Sequence, residues 1–247
     1  MRYLILSDIH ANLTALDASL EAAKGRWEKA VCLGDVVGYG PDPNEVIDRV
    51  RSLEAVTIRG NHDKAGSGLE NAEDFNPVAR AAALWTRKQL RPENQEWLEK
   101  LPSGPLAVDD FSIVHGAVHD EDEYLFAPAQ ALDSLADAPS PVTFFGHTHI
   151  QGGFTLQDER VTVLHFKPGG KELFVTLEIE AGTTYMVNPG SIGQPRDGDT
   201  RAAFAIADLP QKHIELWRVP YDIEVVQKRM EVSGLPEPLI QRLAFGR

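Results

Sequence analysis

The hydrophobic positions alternate between short unbroken runs and helical spacing. Tyr3 to Leu6 is an apolar run of strand length. Leu13, Leu16, Leu20 and Ala23 then recur at helical intervals. Lys29 to Leu33 reads as a second strand ending at Gly34-Asp35. Pro43 suits the first turn of a helix whose apolar face carries Val46, Ile47 and Val50. Ala55 to Ile58 is a third strand, followed by Arg59-Gly60-Asn61-His62. This βαβαβ order predicts a parallel sheet with right-handed crossovers.

Asn76-Pro77 has the chemistry of a cap and first turn, for a helix reaching about Leu90. A second helix is predicted from Pro92 to Leu101. Strands at Phe111 to Val114 and Val142 to Phe145 flank a helix around Ala129 to Leu135. Beyond Gly152 the texture changes. Strand-like pieces recur at 154–157, 161–166, 172–179, 183–187, 203–207 and 213–219, which predicts an antiparallel second sheet packed on the first. An amphipathic helix from Ile223 to Val232 follows. No repeat, low-complexity tract or linker interrupts the pattern, so residues 1–247 are expected to form a single domain.

Composition narrows the function. The 247 residues are 43% hydrophobic and 25% charged, as in ordinary globular proteins, and the net charge is -13. Such an acidic chain disfavours long nucleic acid, which is gripped by clustered Lys and Arg. A small anionic substrate stays compatible, because bound cations invert the local field. The single cysteine, Cys32, lies in an apolar run and reads as a buried hydrophobe. No run of some 18 apolar residues is present, and the N-terminal one is too short for a signal peptide's core. A cytoplasmic protein without membrane contact is expected.

The chemistry gathers after the strands: Asp8-x-His10, Gly34-Asp35, Gly60-Asn61-His62-Asp63, His115-Gly116 and Gly146-His147-x-His149. In open α/β sheets, ligands bind beyond the carboxyl ends of strands. Residues two apart on a strand share a face, so Asp8 and His10 are expected to reach one ion, as are His147 and His149. Asp35 has two carboxylate oxygens and can bridge two cations. Mixed imidazole and carboxylate shells suit Zn, Fe or Mn over Ca or Mg. Gly34, Gly60, Gly116 and Gly146 let the backbone come close. The ordered set points to a di-metal site.

This ordered set resembles the signature of the calcineurin-like metallophosphoesterase superfamily, over residues 8–149. Val187-Asn188-Pro189-Gly190-Ser191 resembles a closing motif of its smaller bacterial and archaeal members. Gly38-Tyr39-Gly40-Pro41-Asp42-Pro43 and Gln194-Pro195-Arg196 look like the branch related to diadenosine tetraphosphatases. The resemblance implies an α/β fold in which two mixed β-sheets pack as a sandwich flanked by helices. It assigns one metal to Asp8, His10 and His149 and the other to Asn61, His115 and His147, with Asp35 bridging and His62 catalytic. Two divalent metals are implied, Mn first, with Fe, Zn or Ni as alternatives. A hydroxide bridging them would attack phosphorus while His62 protonates or stabilises the leaving oxygen. The implied substrate is a small phosphorylated or nucleotide ester, with phosphodiesterase activity as the leading expectation. A phosphomonoesterase or protein phosphatase, and a non-catalytic scaffold, are the alternatives. The protein phosphatases carry Gly-Asp-x-x-Asp-Arg-Gly, whereas Gly34 to Gly40 lacks that second Asp and the Arg. The oligomeric state is left open.

The remaining polar residues have two readings each. Asp63 is the candidate to orient His62. Asp120 to Glu123, after His119, reads as a solvated loop, with a lid as the alternative. Arg196 either clamps a phosphate oxygen or pairs with Asp197 or Asp199. Asn188 to Ser191 is a tight turn or the floor of the site.

Overall fold

Alternation along the first strand sets the layering. In β1 (Tyr3–Leu6), Leu4 and Leu6 pack under helices, while Tyr3 and Ile5 point into the space between two sheets. Every residue of the strand is buried, which requires covered faces on both sides. The computed structural model describes residues 1–166 and 172–247.

After β1 come α1 (Leu13–Ala22), β2 (Lys29–Cys32), α2 (Pro43–Ser52), β3 (Val56–Thr57), α3 (Asn61–Ser67), α4 (Pro77–Gln89), α5 (Pro92–Glu99), β4 (Leu106–Val108) and β5 (Phe111–Ile113). The second half holds α6 (Pro128–Ala136), β6 (Val142–Phe144), β7 (Gly152–Gln157), β8 (Arg160–His165), β9 (Phe174–Glu178), β10 (Thr184–Asn188), β11 (Ala202–Asp208), β12 (His213–Val219), α7 (Ile223–Val232) and α8 (Glu237–Arg242). Asn76 caps α4 as its sequence implies: its side-chain oxygen accepts from the Val78 and Ala79 amides at 3.1 and 3.0 Å.

The strands form two six-stranded mixed sheets, in the orders β3-β2-β1-β11-β12-β9 and β4-β5-β6-β10-β7-β8. The expected parallel unit is present, since β1 pairs parallel with β2 and β2 with β3. The expectation of a separate antiparallel sheet beyond Gly152 is corrected. β9, β11 and β12 complete the first sheet, and β7, β8 and β10 complete the second. The reason is burial. Ala202 to Ala207 in β11 are all buried, so this strand fits a sheet interior, and it pairs antiparallel with β1. Phe204 and Ile206 face the helices, while Ala205 and Ala207 face the other sheet.

Between the sheets lie Ile5, Leu33, Phe111, Phe144, Tyr185 and Leu216, among others. Helix α6 covers the outer face of the second sheet through Ala131 and Leu135. Helices α7 and α8 pack with α4 around Tyr39. The layers therefore run α/β/β/α. Cys32 is fully buried on the helix side, and that burial pushes its thiol pKa up. No helix among the described residues is long and apolar enough to cross a membrane.

Candidate metal centre and active site

The loops leaving β1 and β2 continue side by side beyond the strands. The Asp8 amide donates to Gly34 O at 3.1 Å, His10 to Asp35 O at 2.9 Å and Ala11 to Val36 O at 2.9 Å. Asp8, His10, Asp35, His147 and His149 all have φ between 49° and 66°, the left-handed region. Each such residue costs on the order of 1–3 kcal/mol and persists only where its surroundings over-determine it. This corrects the same-face argument for Asp8 with His10 and for His147 with His149. Neither pair lies on a strand, since β1 ends at Leu6 and β6 at Phe144. Left-handed turns, not strand alternation, bring these side chains together. Asn61 and His62 likewise sit in the first turn of α3 rather than at a strand end.

Two overlapping clusters result. Asp8, His10, Asp35 and His149 form one, Asp35, His115 and His147 the other; in each, the ligand atoms lie within 4.8 Å of one another. All six residues are buried. Asn61 joins the second cluster, its Oδ1 lying 3.4 Å from His115 Nε2. Asp35 is common to both. One of its oxygens accepts from the His62 amide at 2.9 Å. The other, Oδ2, has no hydrogen-bond partner and lies 3.6 Å from His10 Nε2 and 3.5 Å from His115 Nε2.

The imidazoles are held in one way. His10 Nδ1 donates to Val37 O (3.1 Å), His115 Nδ1 to Leu33 O (2.8 Å), His149 Nδ1 to Gln194 O (2.6 Å) and His147 Nε2 to Asp122 O (3.0 Å). A carbonyl only accepts, so each contact fixes the proton on that nitrogen and turns the other inward, the arrangement metal-ligating histidines need. His10 Nε2 and His149 Nε2 are 3.1 Å apart. Burial holds both rings well below the ordinary histidine pKa, so two lone pairs face each other. Clustered carboxylate and imidazole donors of this kind suggest divalent metal ions. The close approach also requires small backbone: a Cβ on Gly60 would lie 2.2 Å from Asp35 Oδ1.

A pH dependence follows for chelator-treated protein. Burial pushes His62 down to about 4 and His147 down to about 3, and His10 and His149 move the same way. Between pH 6.5 and 4 the unfolded chain binds protons that these four folded imidazoles refuse, so stability falls as the pH falls. Burial raises Asp8 and Asp42 to about 6 and Asp63 to about 7, which acts in the opposite sense for three groups. The net difference of about one proton predicts a melting temperature that drops on the order of 3 °C per pH unit near pH 5. Scanning calorimetry checks this, and a flat or rising profile contradicts it.

His62 differs from the other site imidazoles. Its Nδ1 is buried without a hydrogen-bond partner. Its ring is packed by Tyr39 (centroids 4.2 Å apart), Phe75 (4.7 Å) and His10 (5.0 Å). Space for it exists because residue 38 is glycine, where a Cβ would meet His62 Nδ1 at 2.5 Å. Asp63 does not orient the ring. Its carboxylate accepts the Val37 and Gly60 amides at 3.1 and 3.0 Å, fastening the Asp35 loop to α3.

The acidic run is not merely solvated. Glu121 pairs with Arg59 at 2.8 Å, and Asp122 with the buried Lys64 at 2.6 Å. These pairs fix the loop so that Asp122 O reaches His147 and Tyr124 stacks on the His147 ring at 3.7 Å. His119 is exposed and pairs with Asp137. Asn188 to Ser191 acts through side chains as well as a turn. Asn188 donates to Gly146 O at 2.8 Å and Ser191 to Asp8 O at 2.8 Å, which ties both ligand loops to β10.

Arg196 pairs with neither Asp197 nor Asp199, which bind Arg218 and Arg201 instead. Its amide donates to His149 O at 3.1 Å, and its guanidinium lies 5.7 Å from the Tyr39 ring centre. Sequence reasoning missed Phe75 and Tyr124, which carry no local signal of their role, and gave Tyr39 only as part of a motif.

A profile of the calcineurin-like phosphoesterase superfamily domain matches residues 1–212. An uncharacterized protein of Methanocaldococcus jannaschii is 36% identical over 98% of this chain and 97% of its own length. The crystal structure of a metallophosphoesterase from Sphaerobacter thermophilus is 38% identical and superposes with a TM-score of 0.85, covering 100% of this chain and 99% of its own. A hypothetical protein of Pyrococcus horikoshii OT3 shares the fold at 21% identity and a TM-score of 0.78, with 100% and 98% covered. A family profile over most of the chain and relatives this similar along their whole length identify the protein as a member of the calcineurin-like metallophosphoesterase superfamily.

Proposed function

We propose that this chain is a two-metal phosphoesterase that hydrolyses a diester of a small or nucleotide substrate. The observation that carries the reading is Asp35, a buried carboxylate shared by both clusters, with one oxygen unpartnered between His10 and His115. Asp8, His10 and His149 would hold one ion and Asn61, His115 and His147 the other. When bound, a pair of divalent cations neutralises phosphate charge and lowers the pKa of water. Manganese is the first candidate, with Fe, Zn or Ni as alternatives for the same donors.

His62 faces the leaving oxygen in this reading. A neutral ring at pH 7, as burial dictates, donates a hydrogen bond to the developing charge, and an anionic substrate raises its pKa towards full proton transfer. Arg196 would hold a phosphate oxygen. A cavity of about 320 Å³ opens beside His62 and His147, lined in part by Tyr39, Phe75 and Tyr124. Its size and aromatic walls support a small alcohol or nucleoside on the diester, and Glu70, Asp74 and Asp122 on its wall disfavour a long polyanion. Residues 1–247 work as one domain in this reading, since α7 and α8 pack on Tyr39 beside the site. A cytoplasmic setting fits the single buried thiol.

The test is to strip the protein with chelator and compare bis(p-nitrophenyl) phosphate with p-nitrophenyl phosphate, with and without Mn²⁺. Metal-restored turnover favouring the diester by about tenfold or more is expected. Faster monoester turnover would replace the reading with a phosphomonoesterase. Absence of turnover with Mn²⁺, Fe²⁺, Zn²⁺ or Ni²⁺, despite measured metal binding, would replace it with a scaffold.

A further inference from the structure

The cavity beside His62 has a charge that suits a cation. No lysine or arginine lines it, whereas Glu70, Asp74 and Asp122 do. Lys64 does not reach the cavity. Its side chain is 3% exposed and is matched by Glu70 at 3.0 Å, Glu121 at 3.2 Å and Asp122 at 2.6 Å. Arg59 pairs with Glu121. Around this wall the carboxylates of Glu70, Asp74, Glu121 and Asp122 therefore outnumber the charges of Lys64 and Arg59. Among the described residues, Asp74 makes no ion pair and no side-chain hydrogen bond.

The rest of the wall is largely apolar, from Tyr39, Phe75, Ala79 and Tyr124. Tyr39 and Phe75 pack on His62, and Tyr124 stacks on His147, so the rings are fixed in place. Carboxylates beside aromatic rings are the chemistry that holds an alkylated ammonium. The rings attract its charge through their π-electrons and cover its carbon atoms, while the carboxylates balance the charge.

A second observation marks the cavity as a ligand site. His62 is 4% exposed and lines it, yet among the described residues its ring makes no hydrogen bond. A buried polar ring left without a partner at the wall of an open cavity calls for a ligand atom. The cavity also runs between the right groups. Asn61, His62 and His147 form the part that meets the ligand clusters, and Glu70 and Asp74 come from the segment between α3 and α4.

We propose that this cavity holds the cationic end of the leaving alcohol, so that the substrate class is a phosphodiester of an amino alcohol, with its ammonium against Asp74. This deepens the phosphodiesterase reading and rests on it. Hydrolysis adds water to phosphorus and breaks the bond from phosphorus to the amino-alcohol oxygen. That oxygen leaves with the proton that His62 donates, and His62 regains one from the attacking water. The products are a phosphate monoester and the free amino alcohol. Asp74 is then a specificity-determining residue.

The experiment compares the methyl ester of phosphocholine with methyl 3,3-dimethylbutyl phosphate, in which carbon replaces the ammonium nitrogen. The two differ by one positive charge at nearly equal shape. Phosphorus NMR on the Mn²⁺-loaded protein reads methyl phosphate, the product formed when the larger alcohol leaves. The wild type is expected to prefer the cationic ester in kcat/KM by about tenfold. Asp74→Asn should lower that ratio about threefold or more, and Asp74→Glu, which keeps the charge, should retain most of it. A ratio of two esters on one preparation cancels any loss of folded protein. No wild-type preference, a ratio unchanged in Asp74→Asn, or release of methanol in place of choline overturns the proposal. If neither ester turns over, calorimetric titration with the same two esters reads the cavity separately. Tighter binding of the cationic ester that Asp74→Asn weakens supports the cation site while the hydrolytic reading fails, and equal affinities overturn it.

Discussion

Asp35→Asn is expected to abolish turnover and to leave the protein with fewer than two bound metal ions. The carboxylate is shared by both ligand clusters, so its loss affects both. Asparagine nearly preserves the shape but places either a neutral oxygen or an amide donor where Oδ2 now lies unpartnered. The charge matters as much as the atom. Asp35 raises the His115 pKa, against the effect of burial, to about 10, and it supplies the negative charge between two proposed cations. A fall in kcat/KM on the order of 10⁴-fold or more is expected, from loss of the preorganised charge that positions metals and phosphate. Metal analysis after dialysis, beside turnover with excess Mn²⁺, checks it. Two ions retained with near wild-type activity would remove Asp35 from its bridging role.

His62→Ala should behave differently, and the contrast separates ligand from acid. Each of the four histidines proposed as ligands has one nitrogen tied to a backbone carbonyl. The His62 ring has no such tie; its Nδ1 is unpartnered and it is positioned by Tyr39 and Phe75. Removing it should leave both metals bound and lower kcat by roughly 10²–10⁴-fold, the range for general acid–base residues. Substrates with good leaving groups need less proton donation, so p-nitrophenyl esters should suffer less than alkyl esters. Loss of metal in His62→Ala would instead make it a ligand.

Much of this could be read along the chain because the signals were local. Tyr3–Leu6 and Ile223–Val232 have the bounds their hydrophobic patterns imply, and Asn76-Pro77 caps and starts α4. The order of Asp, Asn and His after successive strands revealed a candidate site, because the chemistry of metals limits which side chains can serve. Tertiary structure decided what depends on distant partners. Which strands shared a sheet followed from burial on both faces of β11, a property of its neighbours rather than of its own alternation. The left-handed turns at Asp8, His10, Asp35, His147 and His149 cannot be read from propensity, which argues against them. Cross-loop hydrogen bonds such as His10 to Asp35 O, and Ser191 to Asp8 O, impose them. The packing of Tyr39 and Phe75 on His62, and the meeting of Arg196 with Arg242, join residues 13 to 46 positions apart. The sequence by itself determined the family, the kinds of ligand available and most of the elements; the short α3, β4 and α8 were not legible in it. Only the folded chain decided which nitrogens face inward, what holds His62, and which acids line the cavity beside it, because those depend on contacts that no local pattern encodes.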